Sequence, residues 1–384
     1  MVTKNLLATA VLLAAAGLLS TAVEAKKKVK NKSPVASLAA PLAATGAAYA
    51  GRDDAMQAAD EIAAQHALQP AWVRSMIGQA RFSATAAKLV LPPAAGVAKN
   101  WAAYRSRFVE PVRIGAGVKF WRGHRKALAR AEQDSGVPAA IIVGVIGVET
   151  LYGQHIGNFR VIDALATLAF DFPTEHPRAA ERSAFFRAEL GHLLALSQRT
   201  KADPMRLRGS YAGAMGLPQF MPSSWARYAL DFDQDGRIDL FGSPVDAIGS
   251  VANYFKAFNW EPGLPTHYPV RFDTERLDLE ALLLPDILPT FSVASFQAKG
   301  AVLEGVALTH RGPLALVELQ NGSDPASYVA GSNNFYTVTR YNWSSYYAMA
   351  VIELGQAVQA ALADQEQAVK PLPARQRRQG LHRP

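Results

Sequence analysis

The sequence predicts a mainly α (α+β) protein, and three observations carry that expectation. Helical periodicity recurs from residue 53 to about residue 258, punctuated by Pro and Gly. After Trp260 the texture changes to short runs of β-branched and aromatic residues between Pro and Gly breaks. A helical pattern then returns over residues 346–362. Together these read as a small β-containing insertion between two helical pieces of one domain. No internal repeat is visible.

Asp53 reads as a helix cap ahead of Met56, Ala59, Ile62 and Ala63, so ordered structure is expected to begin there. Pro70, ahead of Ala71, Trp72 and Val73, opens a second helix. Breaks at Leu91-Pro92-Pro93 and Glu110-Pro111 divide the region up to residue 135. Gly136 stops that region and Pro138 opens the next helix. Helical patterns follow at 164–168, 179–196, 223–228 and 245–258. Strands are expected at 267–272, 313–319 and 336–341, with a short helix at 278–284. The resulting units are a helical domain over 53–135, a core over 136–262, a β-containing unit over 263–332 and a return to the core over 333–364.

Both termini read as unstructured. Residues 1–25 have the form of a secretory signal: Lys4, an apolar stretch from Leu6 to Leu19, and Val23-Glu24-Ala25 as a small-x-small cleavage site. The apolar stretch is too short for a comfortable membrane span, and nothing later reaches spanning length. An uncleaved N-terminal anchor is the alternative. Residues 26–52 read as a linker, Lys-rich and then Ala/Pro-rich, and residues 365–384 as a basic disordered tail. With 0 cysteines the chain offers no site for a disulfide or a lipid anchor at the cleavage point. The expected location is therefore the periplasm, without lipidation.

The net charge of +8 is a property of the tails. Residues 26–32 carry five lysines, and residues 370–384 carry Lys370, Arg375, Arg377, Arg378 and Arg383. Subtracting these ten gives 8 − 10 = −2 for the remainder. A near-neutral body on an exported chain argues against nucleic acid as a partner.

Glu149 is the single acid in the apolar run from Val137 to Gly153. On a helix it follows Val145 by four, Ile142 by seven and Ile141 by eight, which puts it on the buried stripe. Burial raises a carboxyl pKa toward neutral, the setting a proton donor needs. A core glutamate neutralised by a distant cation is the other reading, and the run alone does not separate the two.

The segment Asp231-Phe232-Asp233-Gln234-Asp235-Gly236-Arg237-Ile238-Asp239 has the EF-hand pattern of acids at positions 1, 3 and 5 and glycine at 6. Asp231, Asp233, Asp235 and the Arg237 carbonyl are expected to face one cation, a structural Ca²⁺. Position 12 is Gly242, and Asp246 is the candidate replacement for the missing glutamate. Within 209–224, a run of small residues, Ser210 and Gln219 stand as hydrogen-bonding candidates where a backbone approaches a ligand. Over 333–347, aromatics alternate with amides, a combination that suits sugar faces and hydroxyls. There is no phosphate loop, dinucleotide fingerprint or HExxH, so no catalytic cofactor is expected.

Together these segments resemble the membrane-bound lytic murein transglycosylase B family, including its soluble relatives. The resemblance rests on Gly-Val-Glu-Thr-x-x-Gly at 147–153, Ser-Tyr-Ala-Gly-Ala-Met-Gly-x-x-Gln-Phe-Met-Pro-Ser-Ser at 210–224, and the Asp231 loop. It also rests on 246–255 and on Phe-Tyr-x-x-x-Arg-Tyr-Asn at 335–342. It implies a lysozyme-like catalytic domain wrapped by a helical domain, with a small inserted β-containing domain. It also implies non-hydrolytic cleavage of peptidoglycan strands to 1,6-anhydromuramoyl ends, with Glu149 as general acid and then base. Ser210, Gln219, Tyr254, Tyr341, Asn342 and Tyr347 would line the groove. Arg178 and Arg182 are candidate glycan contacts, and wall-synthesis proteins are candidate partners. A lysozyme-type hydrolase would instead need a second carboxylate, for which Asp163, Asp171 and Glu175 are nearby in sequence. A non-catalytic glycan-binding protein is the third reading.

Overall fold

The computed structural model describes residues 44–92 and 98–369. The expected signal segment, the lysine run and the tail from residue 370 lie outside the described residues. The chain first builds α1 (Asp53–His66), α2 (Pro70–Gln79), α3 (Ala84–Leu89), α4 (Trp101–Arg105), α5 (Pro111–Gly123), α6 (Arg125–Ser135) and α7 (Ala139–Thr150). It continues through β1 (Phe159–Arg160), α8 (Val161–Phe170), α9 (Ala179–Thr200), β2 (Arg208–Gly209), α10 (Pro222–Tyr228) and α11 (Pro244–Ala257). The inserted unit holds β3 (His267–Pro269), β4 (Arg271–Phe272), α12 (Leu279–Leu283), α13 (Val293–Ala298), β5 (Ala301–Val302), β6 (Ala315–Asn321) and β7 (Asp324–Gly331). Two helices close the described chain, α14 (Asn333–Asn342) and α15 (Ser345–Val369).

Local chemistry accounts for most boundaries. Proline occupies the first turn of α2, α5, α10 and α11, where its missing N–H costs nothing. Glu110 caps α5 by accepting the N–H groups of Val112 and Arg113. Gly136 ends α6 at φ 71°, a left-handed conformation that glycine adopts without strain. The β-containing unit has its own small core around Tyr268, Leu282, Phe296, Leu303 and Leu316. Its main sheet has the order β3-β7-β6, all antiparallel. One other core runs from Tyr49 to Leu362 and joins the first helices to the rest.

At the centre of that core α7 packs on α15. A Cβ added at Gly144 would lie 2.1 Å from the Val351 carbonyl oxygen. One added at Gly355 would lie 2.0 Å from the Ala140 carbonyl oxygen. The two backbones therefore touch, and only glycine permits it. Among the described residues no single helix is long and apolar enough to cross a membrane.

Four expectations are corrected. α7 has no wet face: every residue from Ala139 to Val148 is buried, and Glu149 alone keeps some exposure. The acid sits where the helix meets the cleft, not within a buried stripe. Residues 336–341 form α14, not a strand. Ser332 caps it by accepting the Asn334 N–H, and Phe335, Val338 and Thr339 bury at helical spacing. Aromatic and β-branched content misled there because tertiary packing overrides propensity. Order also begins before Asp53. Tyr49 is 2% exposed, its hydroxyl donates to Asp171 at 2.6 Å, and the Gly46 N–H donates to the Phe82 carbonyl. Lastly, α15 runs on to Val369 rather than stopping near residue 364.

Gly144→Ala should lower unfolding stability by roughly 1–3 kcal/mol or more, because the helix pair must part. Gly115→Ala, in α5 with nothing near the new methyl, should raise it by about 0.5–1 kcal/mol. Urea denaturation midpoints of both variants check this; equal loss in both would contradict it.

Candidate active site

Three local devices aim Glu149. α7 ends in consecutive left-handed residues: Leu151 (φ 49°), Tyr152 (57°) and Gly153 (90°). The Thr150 hydroxyl donates to the Leu217 carbonyl at 2.9 Å, tying the last helical turn to the small-residue loop. The Arg113 guanidinium donates to the Gly147 carbonyl, holding the same turn from α5. The Tyr347 hydroxyl, on α15, then donates to Glu149 Oε1 at 2.6 Å.

Burial pushes the Glu149 carboxyl up from its ordinary value to about 7, and the Tyr347 hydrogen bond partly opposes this. No cation takes part. The residue keeps contact with the cleft, yet protein packs densely enough around the carboxyl to strip most of its water. The phenols of Tyr341 and Tyr347 are held well above their usual range, by burial first and then by the nearby Glu149 charge.

Glu149 opens into a cleft of about 370 Å³. Gln219, Tyr254 and Tyr341 line it too, so the structure brings these sequence candidates together. Ser210, Asn342 and Tyr347 do not line it. Tyr347 lies behind the acid. Ser210 is buried, and its hydroxyl oxygen accepts the N–H groups of Ala212 and Ala214, shaping the loop wall. Asn342 is buried with Oδ1 unpartnered. Gln219 holds φ 50°, an uncommon conformation for a residue with a side chain. Its amide N–H group donates to the carbonyls of Ile156 and Gly216, which leaves its oxygen as an acceptor. The Tyr341 hydroxyl donates to Pro218, and its ring stacks on Tyr347 at 6.1 Å and 13°. Phe220, Tyr228, Tyr254, Phe258 and Tyr341 form a continuous aromatic lining. A larger cavity of about 630 Å³ opens between α5 and α6, rimmed by Arg122, Arg125, Lys126 and Arg130. It contains no candidate acid apart from Asp233 and no aromatic wall.

The carboxylates expected as second acids lie elsewhere. Asp163 is bound by Arg160 and by the N–H groups of Ala44 and Arg81. Asp171 holds Tyr49 and Arg52, and Glu175 is exposed. Sequence reasoning missed Glu189, on α9, which does line the cleft. It is 3% exposed, burial raises its pKa, and both its oxygens accept from Ser223. It caps α10. The signal was present, since Phe186 three residues before it and Leu193 four after it share its helix face. Arg178 pairs with Glu181 at the surface, while Arg182 packs on Phe185 and Phe186; neither lines the cleft.

In the acidic loop, carboxylate oxygens of Asp231, Asp233 and Asp246 lie within 4.8 Å of one another. Asp235 falls outside that group and accepts the Arg237 N–H. Asp246 is 1% exposed and accepts from the N–H groups of Phe232 and Asp239. Burial holds its carboxyl above the ordinary range.

A buried acid in an aromatic cleft of a mainly helical fold is the arrangement expected of a lysozyme-like glycan-cleaving enzyme. Residues 51–356 match the Transglycosylase SLT domain family, and the chain belongs to it. It is 37% identical over 337 residues to membrane-bound lytic murein transglycosylase B of Escherichia coli K12, covering 82% of this chain and 85% of that protein. The Escherichia coli lytic transglycosylase Slt35, solved in complex with calcium, superposes with a TM-score of 0.72 at 38% identity. That match covers 83% of this chain and 96% of Slt35. The soluble lytic transglycosylase SltB1 of Pseudomonas aeruginosa, solved in a catenated form, gives 0.73 at 39% identity, covering 82% and 99%. The resemblance read from the motifs is borne out.

Because the Tyr347 hydroxyl favours the carboxylate, Tyr347→Phe should move the Glu149 pKa further above about 7. The alkaline limb of a pH–rate profile should shift upward with it; a downward shift would contradict this hydrogen-bond role.

Proposed function

We propose that the protein is a lytic transglycosylase acting on peptidoglycan. It cleaves the β-1,4 bond between N-acetylmuramic acid and N-acetylglucosamine without water. The observation that carries this reading is one near-neutral carboxyl in the cleft, with the other cleft carboxylate, Glu189, occupied by Ser223. Paired-carboxylate hydrolysis needs a second acid free to act. Here Glu149 donates its proton to the glycosidic oxygen as the C1–O bond breaks. The resulting carboxylate takes the proton of the muramoyl C6 hydroxyl, whose oxygen bonds to C1 as a 1,6-anhydro ring closes. Glu149 ends protonated, so the cycle balances. A pKa of about 7 makes both forms accessible at neutral pH.

The aromatic lining stacks on sugar faces, and the free Gln219 oxygen accepts from an N-acetyl N–H or a hydroxyl. Ser210 and Asn342 act by shaping the walls around them. A wall substrate fits a periplasmic location. Asp231, Asp233 and Asp246 form a hard-oxygen set with no Lys or Arg paired to any of them among the described residues, and it fits Ca²⁺. When bound, the ion would screen the three charges and brace the α10–α11 connection.

Glu149→Gln should reduce turnover by about 10²–10⁴-fold on isolated glycan strands. Wild-type products should lack a reducing end by mass spectrometry. Undiminished activity in the variant would sink the role of Glu149. For the metal, Ca²⁺ at 100 times Kd should stabilise the metal-free protein by about 2.7 kcal/mol. Identical melting of metal-free protein with and without Ca²⁺ would overturn the site.

A further inference from the structure

We infer that the basic cavity between α5 and α6 is a second binding site, and that its ligand is an organic phosphate monoester. The cavity shares no lining residue with the Glu149 cleft. The site is therefore independent of the reading of peptidoglycan as substrate.

The sequence concentrates positive charge here. Residues 119–130 carry Lys119, Arg122, Arg125, Lys126 and Arg130 and no acid, and all five cations are exposed. That local excess stands out against a chain whose charge is near zero once the tails are set aside. The break between the two helices at Gly123 and His124 bends the run around one hollow, which Arg122, Arg125, Lys126 and Arg130 line.

Two of these four are held in position. Arg130 donates to the Phe232 carbonyl, and its guanidinium lies 3.7 Å from the Phe232 ring. Arg125 pairs with Glu366 on α15. Arg122 and Lys126 enter no ion pair among the described residues. The acid in the lining, Asp233, accepts from the Ser243 hydroxyl and from the Asp235 N–H. Four cations thus face two acids, Glu366 and Asp233, and two positive charges are left over. A phosphate monoester carries about −1.5 to −2 at neutral pH and offers three acceptor oxygens. A carboxylate carries a single charge that one arginine fork satisfies, so it would leave part of the excess unmet.

Size points the same way. A volume of about 630 Å³ falls within the roughly 300–1,000 Å³ of small-molecule sites, so there is room for an organic group beside the phosphate. α6 starts in the lining, with no acid in its first turn and no side chain capping it. Its first N–H groups add donors to a charge set that the side chains already supply.

Calorimetry of the full chain with glycerol 3-phosphate tests this, with glycerate as the carboxylate analogue. Glycerol 3-phosphate should bind about tenfold tighter than glycerate, and Arg122→Ala or Lys126→Ala should each weaken it by about tenfold. The basic tails are the same in every variant, so the difference reads the cavity. Arg271→Ala, which removes an exposed cation from the β-containing unit, should change nothing. Vesicles carrying phosphatidic acid present the same monoester on a lipid. Arg122-dependent binding of the soluble probe, with or without vesicle binding, supports a dissolved ligand; Arg122-dependent binding of vesicles alone supports a lipid headgroup. Loss of Arg122 dependence in both arms, equal binding of glycerate, or equal weakening by Arg271→Ala would overturn the inference. Glycan cleavage should be as fast in Arg122→Ala as in the wild type, so the peptidoglycan reading stands or falls separately.

Discussion

The site depends on one constraint: a carboxyl at the end of an apolar helix, with no cation paired to it among the described residues. The rise from an ordinary 4.5 to about 7 corresponds to roughly 3 kcal/mol of penalty on the charged form. A lysine or arginine beside Glu149 would cancel that penalty and leave a permanent carboxylate. The hydrogen bond from Tyr347 is a milder counterweight. It supports the charged form without abolishing the acid, which is what the proposed role of Glu149 as proton donor and then acceptor requires.

The surrounding architecture maintains that balance. Gly144 and Gly355 let α7 and α15 touch, which brings Tyr347 to Glu149. Thr150 and the left-handed turn after it fasten the helix end to the loop that carries Gln219. Tyr341 stacks on Tyr347 and is anchored to Pro218, so the aromatic wall and the acid share one framework. The carboxylates elsewhere serve the fold. Asp163 and Asp171 fasten the N-terminal segment, and Glu189 caps α10.

Much of this was legible in the residues. Periodicity and Pro/Gly punctuation located the helices that carry Glu149, Glu189 and Tyr347. The lone acid in its apolar run was visible because burial of a carboxylate needs a reason. Spacing also put Asp231, Asp233 and Asp235 in one loop with Asp246 as a replacement ligand, but the folded loop brings Asp231, Asp233 and Asp246 together and leaves Asp235 outside that group. What was not legible depends on contacts distant in sequence. Tyr336 to Tyr341 has strand-like composition, yet Ser332 and the core beneath make it helical. Tyr49 lies in a stretch of linker-like composition, and only its partners on α8 and the segment after it reveal that it is core. Asp163 and Asp171 are near Glu149 in sequence but face away from the cleft, while Glu189 is distant in sequence and faces it. Sequence proximity says little about which side of a helix pair an acid meets. Around Arg340, Tyr336 and Trp343 stand at helical spacing, but the third ring, Phe258 after α11, is distant in sequence and no local pattern announces it.

The central claim is that the muramoyl C6 oxygen, not water, attacks C1. Digestion of glycan strands in ¹⁸O-labelled water tests it most directly. The account predicts products that carry no ¹⁸O at C1 of the muramoyl end. Incorporation of one ¹⁸O per cleavage would contradict it and make the enzyme a hydrolase.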